Sequence, residues 1–107
     1  MTETEQSFQA KADACLRSLQ LRLDAFDPDE LEADLAAGVL KIAFADQRTC
    51  VLNRQSAARQ IWMAEGATAW HFLPDDSGDW VDTKGRGRLQ PILAEVIGRR
   101  LGRVVTL

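Results

Sequence analysis

The spacing of apolar residues changes twice along this chain, and those changes limit the folds it can reach. Phe8, Ala12, Cys15, Leu16, Leu19, Leu23 and Phe26 recur at intervals of three and four, the stripe of an amphipathic helix. From Leu31 the interval drops to two, and between Leu89 and Leu101 it returns to helical spacing through Ile92, Leu93, Val96 and Ile97. Two helices with one apolar face each are expected, separated by strands with one dry and one wet face. The first helix should run from Glu5 to Asp27, and Pro28 ends it, because the residue before a proline is pushed out of the α region.

In the middle section, Leu31, Ala33 and Leu35 alternate with Glu30, Glu32 and Asp34. VLKIAFA then places Leu40, Ile42 and Phe44 on one side, and Ala45-Asp46-Gln47 is a tight turn into RTCVLN, which together read as a hairpin. Arg59 to Ala64 and Ala69 to Leu73 are further strands, and Asp75-Asp76-Ser77-Gly78 turns the chain into a last segment around Trp80 and Val81. The expected architecture is α+β, a two-layer sandwich with both helices on one face of an antiparallel sheet, in the order α-β-β-β-β-β-α. The other face is left to solvent. A chain of 107 residues fits one domain, 1–107, that buries about 65% of the surface exposed when unfolded.

Composition narrows the function. No apolar run approaches the roughly 20 residues that cross a bilayer, and MTETEQSFQAKADA lacks the basic start and apolar stretch of a signal peptide. Cys15 and Cys50 stand in no CxxC or zinc-like spacing, so two free thiols in a reducing, cytoplasmic setting are expected. One histidine, no tyrosine and no glycine-rich phosphate loop argue against an enzyme. The arginines of RLQPILAEVIGRRLGR read as the wet face of a helix, so no nucleic-acid partner is expected.

The charge is unevenly placed. Residues 1–46 carry ten acids and four bases, net −6, whereas 47–107 carry six acids and nine bases, net +3. Asp24, Asp27, Asp29, Glu30, Glu32 and Asp34 fall within eleven residues with no base among them. Asp24 and Asp27 are expected in the last helical turn, where the macrodipole disfavours a carboxylate by ~0.3–1 kcal/mol. Glu30, Glu32 and Asp34 should share one strand face at intervals of ~6.7 Å, each pair repelling by ~0.6 kcal/mol. Acids held against local preference point to a surface for cations, for a basic protein, or for both in turn. Oxygen-only donors suit hard metals such as iron, manganese, calcium or magnesium, and DPDELE lacks the glycine and spacing of an EF-hand loop. An open ridge of this kind should bind weakly and exchange quickly.

A second group lies in NRQSAARQIWMA. Asn53, Gln55, Gln60 and Trp62 occupy alternating positions whose inward neighbours are Leu52, Ile61 and Met63. Trp62 should therefore stand on the outer face beside Asn53 and Gln55, where an amphipathic ring serves as an interface anchor. Trp70 and Phe72 should face inward and His71 outward.

LDAFDPDELEADLAAGVLKIAF, NRQSAARQIWMA, WHF and DWVDTKGRG, in this order and spacing, resemble the bacterial frataxin family from Phe8 to about Leu101. The resemblance implies the α-β-sheet-α sandwich reached above, and weak binding of Fe2+ and Fe3+ along Asp24, Asp27, Asp29, Glu30, Glu32 and Asp34. It also implies a regulatory part in iron–sulfur cluster assembly through contact with the cysteine desulfurase and its scaffold protein. Asn53, Gln55 and Trp62 would be the sheet-face contacts, and the protein would be a monomer, with iron-dependent oligomers as the alternative. Gln20, Leu21 and Ala25 stand where the family usually has acids near the end of helix one. Gln9 replaces a histidine of a bacterial relative, and Arg86 and Arg88 replace acids common before helix two. The alternative reading is a metal-independent acidic module that regulates a basic partner.

Overall fold

The computed structural model describes residues 4–107. Helix α1 spans Glu5–Leu23 and is capped by Thr4, whose Oγ1 accepts the Ser7 N–H at 2.9 Å, satisfying one of the amides left unpaired at a helix start. Six strands follow: β1 Leu31–Ala36, β2 Val39–Phe44, β3 Thr49–Gln55, β4 Gln60–Glu65, β5 Thr68–Pro74 and β6 Trp80–Asp82. Helix α2, Leu89–Leu101, comes last and ends at Gly102 in the left-handed region, φ 73°. The order α-β-β-β-β-β-α thus counts one strand too few: every segment with alternating pattern pairs, including the short Trp80–Asp82.

The sheet is a meander, β1-β2-β3-β4-β5-β6, antiparallel throughout. Short turns force that topology. Ala37 and Gly38, at φ 52° and 77°, join β1 to β2 in two residues, the twist that a tight hairpin needs. Leu31, Leu40, Ile42, Cys50, Leu52, Ile61, Met63, Trp70 and Phe72 turn to one face and form a single core with Phe8, Ala12, Leu16, Leu19 and Leu23 of α1 and Leu89, Leu93, Val96 and Ile97 of α2. Helix α1 lies over β1, β2 and β3, and α2 packs against β6. Two ion pairs tie the layers: Arg54 of β3 to Asp13 of α1 at 2.6 Å, and Arg100 of α2 to Glu65 of β4.

Helix one is a turn shorter than its apolar stripe predicts. It closes at Leu23 with Asp24 as C-cap, and i→i−3 bonds from Ala25 to Arg22 and from Phe26 to Leu23 replace helical ones. The stripe continued to Phe26 because that ring still packs on the core edge, which periodicity cannot tell from helix. Among the described residues no helix is long and apolar enough to cross a membrane. Both cysteines are free, and burial above all pushes each thiol up to about 12.

Candidate functional site

The acidic stretch follows the turn from α1 into the edge strand β1. Asp24 caps the helix. Asp27 lies outside it and organises the turn: its Oδ1 accepts the Asp29 N–H at 2.9 Å, and its carbonyl accepts the N–H of Glu30 at 2.8 Å. Asp27 is therefore partly spent on the backbone. Glu30 continues the pairing with the β2 side, its carbonyl accepting the Ala45 N–H at 3.1 Å. It precedes β1, and its carboxylate takes Arg103 Nη2 at 2.9 Å, while the Arg103 guanidinium sits 5.7 Å from the Phe26 ring centre. Only Glu32 and Asp34 share the outer face of β1, both exposed. Asp34 stands directly across from Lys41 of β2.

Asp24, Glu32 and Asp34 border an open cleft of about 510 Å³ that Phe26 and Lys41 also line. Its oxygens fit a hard cation. Among the described residues, however, no three carboxylate, imidazole or thiol groups converge closely enough to enclose one. A cation here would keep most of its water. Lys41 beside Asp34 and Arg103 on Glu30 already answer part of the negative field.

The outer face of the sheet carries the second surface. The register sets Val39, Asn53, Trp62 and His71 in one row across β2, β3, β4 and β5, and Gln55 opposite Gln60 in a neighbouring row. Trp62 is half-buried there, as alternation predicts, while Trp70 and Phe72 are in the core. Its Nε1–H is donated to Gln60 Oε1 at 2.7 Å, and its ring stacks on His71 with centroids 4.4 Å apart and planes 12° off parallel. Val39 and Leu73 stay 40% and 42% exposed on this face, adding apolar surface on either side of the Trp62–His71 stack. Gln60, Val39 and His71 thus join Asn53, Gln55 and Trp62. Alternation put them on one face, but the pairing of particular residues needed the strand registers.

Arg86 and Arg88 have local work. Arg86 pairs bidentately with the buried Asp82, Nε to Oδ2 at 2.7 Å and Nη2 to Oδ1 at 3.0 Å, and lies 5.5 Å from the Trp70 ring centre. Arg88 reaches Asp75 at 2.7 Å and Asp79 at 3.0 Å.

The frataxin-like domain family matches residues 1–103. The iron–sulfur cluster assembly protein CyaY of Dechloromonas aromatica is 35% identical over 104 residues, 96% of this chain and 97% of that relative. The protein of the same name from Thioalkalivibrio sulfidiphilus is 35% identical over 103 residues, 94% and 96% of the two chains. Frataxin from Psychromonas ingrahamii shares the fold with a TM-score of 0.87 at 18% identity, covering 96% of each chain. Trimeric frataxin from the yeast Saccharomyces cerevisiae, in its ferrous complex, superposes with a TM-score of 0.68 at 26% identity over 96% of this chain and 90% of that one. With its sandwich, its sheet order and nearly its full length matched, the chain belongs to the frataxin-like family.

Proposed function

We propose that this protein regulates iron–sulfur cluster assembly in the cytoplasm by docking on the cysteine desulfurase and its scaffold protein, and that it binds Fe2+ and Fe3+ weakly along the acidic ridge. The observation that carries the docking is the outer-face row of Val39, Asn53, Trp62 and His71, an ordered aromatic and amide surface with an apolar margin. Its relatives' names as assembly proteins and the ferrous complex of the yeast frataxin support the pathway and the metal. The role is regulatory rather than catalytic. Both thiols are held protonated by burial, and the imidazole is stacked on Trp62 in an open surface.

The ridge supplies oxygen donors from Asp24, Asp27, Asp29, Glu32 and Asp34, with Glu30 shared with Arg103. That sharing favours the second reading, an acidic module that works on its basic partner without metal. Titration with Fe2+ under anaerobic conditions, followed by NMR, separates the two. Line broadening that starts at residues 24–34 is expected. Broadening that starts at His71 or the cysteines would overturn the ridge as the iron site, and none at millimolar iron would leave only the metal-independent module.

A further inference from the structure

We infer that His71 positions Trp62 for docking and makes the docking face sensitive to protonation, an inference that rests on the docking role proposed above. Trp62 is fixed from two sides: its N–H is spent on Gln60, and one ring face is covered by the imidazole directly across the strand pair. Asn53 stands opposite on β3. A partner therefore meets the carbon edge of the indole and not a free hydrogen-bond donor, and recognition is by apolar contact with amides around it.

The outer-face neighbours of His71 on β4 and β5 carry no charge, and Arg86 is the cation that reaches β5, donating Nη2 to the Ala69 carbonyl at 2.9 Å. The outward neighbours of His71 are Gln60, Trp62 and Ala64 on β4, Ala69 and Leu73 on β5, Val81 on β6, which pairs with Leu73, and Thr83, whose N–H is donated to the His71 carbonyl at 2.8 Å. Asp82 is buried on the inner face and held by Arg86. Lys84 lies in the turn after β6, and Lys41 and Asp34 belong to the next row of β2 and β1. Histidine is the side chain whose ordinary titration falls near neutral pH. A neutral ring extends the amide and aromatic surface, whereas an imidazolium places a charge at the β5 end of the row, against Trp62, that docking must strip of water. Docking should be tighter with the ring neutral than with the ring protonated.

The test compares wild type, His71→Phe, which keeps a stacking ring without a proton, and His71→Ala, which keeps neither. Binding of the full chain to the desulfurase–scaffold complex is measured at about pH 7.5 and about pH 5.5. Wild type should lose about tenfold more affinity than His71→Phe on acidification, and His71→Ala should be weaker than His71→Phe at both pH values. In the isolated chain the Trp62 indole N–H resonance should move in step with the single histidine's ring signals. Equal pH slopes for wild type and His71→Phe, full binding by His71→Ala, or an unmoved indole resonance overturns the inference alone. No binding by wild type at either pH sinks the docking reading and this inference with it.

Discussion

Arg86 and Arg88 occupy positions where the family resemblance places acids, and each is consumed by a neighbouring carboxylate. Hydrogen bonds from Arg86 hold the Asp82 carboxyl below its ordinary range, and Ser77 first and Arg88 next do the same for Asp75. A carboxylate depressed in the folded chain contributes stability above its ordinary pKa that is lost as pH falls through the folded value. Acid titration of the melting temperature should therefore show a steep loss below about pH 4. Asp82→Asn should flatten that loss while lowering stability at neutral pH by about 1–3 kcal/mol, discounted because Arg86 is partly in water. An unchanged acid limb in Asp82→Asn would place the sensitivity elsewhere. Trp62 and Trp70 make the complementary comparison. Trp62→Ala removes a half-exposed stacked ring and should cost about 1 kcal/mol, whereas Trp70→Ala empties the core and should cost about 3–5 kcal/mol. Only the first should weaken docking out of proportion to stability, as chemical denaturation and a binding assay on both variants would show.

The helices and strands were legible where each had one apolar face, since burial selects for period, and period is visible in a single sequence. What escaped were places where a local bond overrides period. Asp27 left the helix where its carbonyl and carboxylate bond into the turn before β1, and the pairing of Glu30 with Arg103, seventy-three residues away, is a contact no local period reveals. Trp62 could be placed on the outer face from alternation, but its contacts with His71 and Gln60 depend on register and rotamer, which alternation does not fix. Tertiary contact decides Gly98 as well. An added Cβ there would sit 2.7 Å from the Arg103 carbonyl oxygen, where the chain folds back after α2 so that Val105 is buried. Alanine normally favours a helix interior by up to about 1 kcal/mol. Gly98→Ala should nevertheless destabilise by about 1–3 kcal/mol, because the backbone must shift. A raised melting temperature would show the return segment to be displaced without cost.

Charge ties these surfaces together. The acids of 24–34 border the edge strand β1, whereas the Trp62 row crosses β2 to β5, so one partner could meet an acidic margin and an aromatic centre in a single contact. If the margin faces a basic patch of the desulfurase, opposite fields should speed encounter, and affinity should fall as salt screens them. Changing Asp24, Glu32 and Asp34 to Lys reverses the field without emptying the core, since all three are exposed, and exchanges the attraction between Asp34 and Lys41 for a repulsion of surface size. The variant should fold with little change in stability yet bind at least about tenfold more weakly at low salt, because like charges then meet across the interface. Glu30 is left untouched so that its bond to Arg103 stays intact. Iron on the same carboxylates cancels charge, so Fe2+ should weaken wild-type docking in proportion to occupancy and leave the Lys variant unaffected. Calorimetry across a salt series, for both proteins, with and without Fe2+, measures all three effects. Salt-independent wild-type affinity or undiminished binding by the Lys variant would mean that the acidic margin takes no part in docking.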